Sequence, residues 1–178
     1  MNFKEFWGKY SYVIVRCFVD QIAIAVFALA VAISVAASSP ALLLGSSVFS
    51  VLFFAFMIGS MCWKTGVSDK EKIDVGRFKG NSLTGLYIGL LANAPNFVLA
   101  VLYALFDGKV GAFANLTMKL IYGEYLGILS IQAGENKLGL YPISFFVILI
   151  PGILATLVGY LLGVKGIIKP KVTKKDLE

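Results

Sequence analysis

Residues 41–63 form an apolar stretch of 23 residues without a charged side chain. About 20 helical residues cross the ~30 Å hydrocarbon layer of a bilayer, because each residue adds about 1.5 Å. A helix at the surface of a soluble protein carries a polar face, whereas apolar side chains are spread all around this stretch. The sequence therefore predicts a transmembrane helix here.

Three further stretches meet the same criterion, in predicted helices 12–38, 83–105 and 141–164. Only 15% of the residues are charged, compared with about 25% in soluble domains. We therefore expect an all-α integral membrane protein that forms a single membrane domain, 1–178, with four transmembrane helices.

A fifth stretch, 111–131, is long and mostly apolar but contains Lys119 and Glu124 near its centre. An ionised group at the centre of a transmembrane helix costs about 2.5–3.5 kcal/mol on insertion scales. We therefore expect this stretch to form an interfacial or re-entrant helix on the outer side. Its tyrosines, Tyr122 and Tyr125, are expected near the outer membrane boundary, which tyrosine rings prefer.

Lysine and arginine residues are unevenly distributed along the chain. Three precede the first apolar run, which begins at Phe18, five lie in the loop 64–82 and five in the tail 165–178, which makes 13 of the 16. Four spans place all 13 on one side, and basic residues favour the cytoplasm, whereas five spans would export the lysine-rich tail. We expect a multi-pass protein of a bacterial plasma membrane with loop, tail and both termini in the cytoplasm. Orientation also explains the net charge of +6, so the lipid bilayer and not a nucleic acid is the expected partner.

The sequence Asn93-Ala-Pro95-Asn96 interrupts the third predicted helix. Pro95 has no N–H to donate to the carbonyl of Leu91, and its ring pushes against that carbonyl, so a bend is expected. Asn93 and Asn96 can supply donors to freed carbonyls inside the protein. We expect either a polar ligand-binding site near the middle of the membrane or a packed kink held by asparagine hydrogen bonds.

Pro151 interrupts the last predicted helix in the same way. It lies 13 residues before residue 164, and Pro95 lies 12 residues after residue 83, so the two prolines are predicted at nearly the same height. Two bends at one height would frame a cavity between the third and fourth helices. We therefore include Pro95 and Pro151 in the predicted ligand site.

Arg16 and Asp20 are spaced i, i+4 and lie on one face of the first helix, next to Gln21. They predict either a polar pocket open to the cytoplasm, which would extend the ligand site, or an ion pair at the inner membrane boundary.

Pairs of glycines four residues apart let helices approach closely. Three such pairs occur: Gly85 and Gly89, Gly123 and Gly127, and Gly159 and Gly163. They predict close packing within the chain, a homo-oligomer or a membrane-protein partner.

The chain has no histidine, no serine elbow and no phosphate-binding loop. We therefore expect neither an enzyme nor a metal or other cofactor. The leading hypothesis is transport or binding of a small polar or lipid-linked ligand at the kinked pair of helices. The alternative is an accessory or scaffold subunit of a larger membrane complex, docked through the mixed-charge loop 64–82.

Overall fold

The computed structural model describes residues 2–37, 39–77 and 80–166, so only the first two residues of the predicted tail 165–178 fall within this part. These residues form the helices α1 (Phe3–Ala36), α2 (Pro40–Asp74), α3 (Thr84–Ala92), α4 (Ala94–Leu105), α5 (Gly108–Ile121), α6 (Leu126–Leu129), α7 (Pro142–Val147) and α8 (Leu149–Lys165). Turns of 3-10 helix occur at Gly123–Tyr125 and Leu138–Leu140. A short antiparallel hairpin pairs β1 (Gln132–Ala133) with β2 (Asn136–Lys137).

Within the described residues, three helices are long and apolar enough to cross a membrane: Phe3–Ala36, Pro40–Asp74 and the α7–α8 stretch Pro142–Lys165. α3 and α4 would make a fourth if taken together, although they bend by 53° where they join. The expectation of an all-α chain whose helices are long and apolar enough to cross a membrane is therefore confirmed.

Large apolar side chains cover the outer surfaces of these helices. On α2, Phe49, Leu52 and Phe56 are each about two-thirds exposed, at 67%, 65% and 68%. Apolar area costs roughly 25 cal/mol per Å² when it faces water. Such surfaces suit a lipid environment.

Two of the long helices extend beyond the predicted apolar spans. α1 begins at Phe3 and not at residue 12, because Asn2 and Glu5 form a capping box in which the Glu5 N–H donates to Asn2 Oδ1 at 2.9 Å. α2 continues to Asp74, so residues 64–74 of the predicted loop are helical. Gly76 follows with a φ of 72°, a left-handed conformation that suits a helix end. Apolar composition marks the lipid-facing part of a helix, whereas caps and turn residues determine where it ends.

α8 packs against α2 and α3, and α1 packs against α2 and α3. All three predicted glycine pairs lie in contacts within the chain. A Cβ atom on Gly159 or Gly163 would overlap α2 backbone, one on Gly85 or Gly89 would overlap α8, and those on Gly123 and Gly127 would overlap α1 and α2 respectively. A homo-oligomer would therefore use a different surface.

Two apolar clusters fill the interior. The first joins α1, α2, α3 and α8 through Phe6, Tyr10, Ile14, Cys17, Ile24, Phe54, Ile58, Cys62, Ile88, Ala92 and Tyr160. The second cluster is formed by residues from α4 through α8: Ala100, Met118, Tyr122, Tyr125, Leu129, Phe145, Ile148 and Leu149. Asn93 and Asn96 follow Ala92 and precede Ala100, so they lie at the junction of the two clusters.

α5 runs back alongside α4 in the opposite direction. Near the α4–α5 connection, Gly111 lies against Phe106 and Tyr103, and at the far end Tyr122 reaches Asn93. After the Gly123–Tyr125 turn the chain returns, and Asn115 Nδ2 donates to the Gly139 carbonyl at 3.0 Å. The segment after α4 is thus a folded-back pair of arms whose tip is the Gly123–Tyr125 turn.

Candidate functional site

The chain bends at Asn93, which ends α3 and precedes α4. Pro95 lies in the first turn of α4, where a missing N–H costs no helical hydrogen bond. The Asn93 side chain turns back, and its Nδ2 donates to the Gly89 carbonyl at 2.9 Å. The bend therefore lies where Pro95 predicts it, and the Asn93 amide reinforces the end of α3.

Four polar side chains meet inside this bend, and we call them the amide cluster: Gln21, Asn93, Asn96 and Tyr122. Asn96 Nδ2 donates to Gln21 Oε1 at 3.1 Å and to Asn93 Oδ1 at 3.3 Å. The Tyr122 hydroxyl donates to Asn93 Oδ1 at 3.0 Å. The cluster therefore joins α1, the α3–α4 bend and the residue that ends α5.

The amide cluster has unused hydrogen-bonding capacity. Asn96 is 0% exposed, yet its Oδ1 accepts no hydrogen bond from any described residue. Gln21 is also buried, and its Nε2, which faces the Tyr122 oxygen, makes no well-formed bond there. Because buried polar groups are almost always paired in folded proteins, an open acceptor and an open donor in one cluster are typical of a place that receives a polar group.

Glu124 and Tyr125 lie in the turn that follows α5, and both are buried. The rings of Tyr122 and Tyr125 meet edge to face with centroids 5.8 Å apart. Burial raises the pKa of both phenols, and the nearby Glu124 carboxyl raises the pKa of each further. Both tyrosines therefore keep their protons; the Tyr122 hydroxyl donates to Asn93, whereas the Tyr125 hydroxyl has no hydrogen-bond partner among the described residues.

Arg16 and Asp20 lie on an exposed face of α1, outside the amide cluster. Arg16 Nε is 3.6 Å from Asp20 Oδ2, and Arg16 Nη1 lies 3.2 Å from the Tyr12 hydroxyl oxygen. The two charged side chains are 53% and 35% exposed, and such pairs contribute about 0–1 kcal/mol. The structure thus shows the ion pair, while Gln21, the next residue, points into the amide cluster.

Two grooves lie beside α8. One, of about 320 Å³, has Asn93 in its wall and is otherwise apolar, with Leu90, Ala94, Phe97, Val98, Leu149 and Ile153. Pro151 lines a different groove of about 570 Å³ between α2 and α8. Pro95 is exposed and Pro151 half-buried, and a Cβ atom added to the neighbouring Gly152 would lie 3.9 Å from Asn93 Nδ2. Pro95 lines neither groove, so the two prolines do not share either of them.

Two tyrosines of the site were expected elsewhere. The sequence predicts Tyr122 and Tyr125 at the outer membrane boundary, and the structure packs both rings inside the second apolar cluster, where they are 1% and 3% exposed. From the sequence, Glu124 was notable only because an ionised carboxylate at the centre of an apolar stretch is unfavourable. The available signal was that all three residues fall at the centre of one apolar stretch, where a polar group needs an interior partner.

A second buried polar group, which we call the Asp69 cluster, lies where α1 begins and α2 and α8 end. The Tyr10 and Tyr160 hydroxyls both donate to Asp69 Oδ2, and the Tyr160 bond is 3.0 Å long. Lys9 Nζ lies 2.8 Å from Asp69 Oδ1. Asp69 is 2% exposed, and its partners occupy both carboxylate oxygens, so this cluster is closed and serves to hold three helix ends together.

Among the described residues, no group of three or more Cys, Asp or Glu side chains is placed to hold a metal ion. Comparison of the chain with protein-family models, with curated protein sequences and with solved structures yields no match. The site must therefore be interpreted from its own geometry.

Proposed function

We propose that the chain crosses the bilayer four times, with the bent α3–α4 pair as one span and both termini in the cytoplasm. This topology gathers 13 of the 16 basic residues on the cytoplasmic side. It also brings the Asp69 cluster to the cytoplasmic end of the bundle, beside the charged end of α2.

In this topology the segment Gly108–Leu129 enters and leaves the membrane on the outer side as a re-entrant pair of arms. Support comes from the Tyr122–Asn93 hydrogen bond, which brings the tip of the segment to the level of the α3–α4 bend. Twelve residues of α4 separate that bend from the outer end of the span, which is about 18 Å of helix. The amide cluster would then lie near the middle of the bilayer.

We infer that the protein binds a small polar ligand at the amide cluster and transports it across the membrane. The observation that carries this inference is the fully buried Asn96 Oδ1, which accepts no hydrogen bond from a described residue, together with Gln21 Nε2 in the same cluster, which makes no well-formed bond to one. An unsatisfied buried polar group costs about 1–3 kcal/mol, and a ligand that pairs with both groups would remove that cost. A bent helix beside such groups is a common setting for ligand sites in transporters.

The geometry favours a ligand group that both donates and accepts, such as a neutral carboxamide, carboxylic acid or hydroxyl. The groove that reaches Asn93 is apolar on its other sides and is large enough for a short hydrocarbon chain. We therefore propose a ligand with a polar head for the amide cluster and a short apolar tail for the groove, in line with a small polar or lipid-linked ligand.

Hexanamide is a suitable probe, with N,N-dimethylhexanamide as its partner that lacks the amide donor. We expect the full chain in lipid nanodiscs to bind hexanamide saturably in calorimetry and the dimethyl compound much more weakly. Asn96→Leu should weaken hexanamide binding about tenfold to a hundredfold, since one buried hydrogen-bonding partner is worth about 1–3 kcal/mol.

The matched control is Asn115→Leu, which removes an asparagine that bonds Gly139 away from the amide cluster. It should leave hexanamide binding unchanged. Absence of saturable binding to the wild type, or equal affinity in the wild type and Asn96→Leu, would contradict the proposal.

A second candidate function is that of an accessory subunit, which the helical extension of α2 favours. Residues 64–74 continue α2 beyond the apolar span and expose Lys64, Glu71 and Lys72 on a rigid helix. A partner that co-purifies with the full chain should dissociate when Lys72 and Arg77 are both changed to Glu. A chain that stays monomeric and without a partner in its native membrane would contradict this alternative.

A further inference from the structure

Glu124 is the most deeply buried acidic side chain at the site. It is 0% exposed, and neither carboxyl oxygen has a partner in another described residue. The turn that carries it is seated against two long helices: Gly123 lies against the Ala25 carbonyl of α1, and Gly127 lies against Leu43 and Ser47 of α2. Gly127 N–H donates to Ser47 Oγ at 2.7 Å, which fixes the turn in this seat.

The elements packed around the turn offer no counter-charge to an ionised Glu124. From Gln21 to the end of α1, and in α2 as far as Met61, the sequence contains no ionisable side chain. The ionisable neighbours of Glu124 are Tyr122 and Tyr125, which are neutral. Lys119 of α5 lies against Gly139 and has Lys137 as its charged neighbour.

Removal of a carboxylate from water without a counter-ion strongly disfavours its charged form. Desolvation raises the pKa of Glu124 to about 8, although its own backbone N–H favours the charged form slightly. A buried carboxyl without a counter-charge therefore favours its protonated form.

We propose that Glu124 is a proton-binding site, which is protonated while the Gly123–Tyr125 turn is buried between α1 and α2 and which gives its proton to water when it ionises. In that step the carboxyl O–H bond breaks, the electron pair stays on the carboxylate and the proton passes to water. No oxidant or other co-reactant is needed.

Ionisation of Glu124 would act on the amide cluster through Tyr122, which precedes the turn and bonds Asn93. Loss of this bond would leave Asn93 Oδ1 with Asn96 Nδ2 as its remaining donor among the described residues. The linkage of proton release to ligand binding rests on the proposed function, whereas the proton site itself stands on the burial of Glu124.

Infrared difference spectroscopy of the full chain in lipid tests the proton site directly. Wild-type protein should show the carbonyl stretch of a protonated carboxylic acid at neutral pH, and this band should disappear with a midpoint at about pH 8. Glu124→Gln should abolish the band. The matched control, Glu135→Gln in the exposed hairpin, should retain it.

A second measurement follows the melting temperature against pH. Because the folded pKa lies above the ordinary value of 4.5, the folded state holds the proton more tightly than the unfolded chain. Stability should therefore be highest at low pH and decline as pH rises toward about 8 in the wild type, and Glu124→Gln should lose this decline.

An ionised Glu124 at neutral pH, seen as no carboxylic acid band in the wild type, overturns the proposal. A band that persists unchanged in Glu124→Gln does so as well. Neither result depends on hexanamide, so a failure of the proton site and a failure of ligand binding at Asn96 are distinguishable.

Discussion

Asp69 is the residue on which the ends of three helices converge. Tyr10 belongs to α1 and Tyr160 to α8, and both hydroxyls donate to the Asp69 carboxylate on α2. Lys9 adds a charge partner that is partly exposed, at 24%. Hydrogen bonds to a charged acceptor are stronger than neutral ones, so the carboxylate should matter more than its charge pair with Lys9.

Asp69→Asn should therefore lower the free energy of unfolding by about 1–3 kcal/mol. The size of the side chain is kept, so the loss would report the charge and its hydrogen bonds. The control is Asp74→Asn, an exposed aspartate at the end of the same helix. Reversible unfolding in mild detergent measures both variants, and equal stability of the two would count against a structural role for the Asp69 cluster.

At the scale of single residues, the sequence predicts which polar side chains are unusual but not how they pair. Gln21, Asn93 and Asn96 stand out because they interrupt apolar stretches. Their pairing depends on a contact between residues 75 positions apart, Gln21 and Asn96, which no local pattern encodes. Arg16 and Asp20 were grouped with Gln21 by spacing, yet they occupy a different face of α1.

The most extensive contact between two described elements is that of α2 with α8, and glycine makes it possible. A Cβ atom on Gly159 would overlap the carbonyl oxygen of Gly59, and one on Gly66 would overlap the carbonyl of Tyr160. Small residues let the two backbones touch, which is how helices gain packing energy where water supplies no hydrophobic force.

Gly159→Ala should consequently lower the free energy of unfolding by about 1–3 kcal/mol, because one methyl group forces the helices apart. Gly45→Ala in α2 is the matched control, since an added Cβ there meets no described atom within 4 Å. That variant should be neutral or up to about 1 kcal/mol more stable, since Ala is the better helix former. The reverse order of the two variants would contradict the packing described here.

At the scale of elements, hydropathy locates the apolar parts of the long helices well and their ends poorly. The extension of α2 through residues 64–74 depends on ordinary helix-forming polar residues, which an apolar pattern does not detect. The bend at Asn93 was predictable because Pro95 has a known local effect. The contacts that residues 108–140 make were not predictable, since they depend on packing against α4.

As a whole, the proposed molecule is a four-span bundle with a re-entrant segment whose tip completes a polar site. Two features of the sequence favour this arrangement: the distribution of basic residues, and the cost of Lys119 and Glu124 at the centre of an apolar stretch. The structure adds the contact between that tip and the α3–α4 bend. The position of the polar site therefore depends on whether residues 108–129 return to the side from which they came.

Cysteine labelling with a membrane-impermeant maleimide tests this central claim most directly. The native Cys17 and Cys62 are 3% and 0% exposed and should not react with the maleimide. Single cysteines can therefore be introduced at the exposed positions Ser68, Asp107 and Glu135. We predict that Asp107→Cys and Glu135→Cys react in intact cells, and that Ser68→Cys reacts only after the membrane is permeabilised. Labelling of Asp107→Cys and Glu135→Cys from opposite sides would show that the segment crosses the bilayer, and would contradict the account.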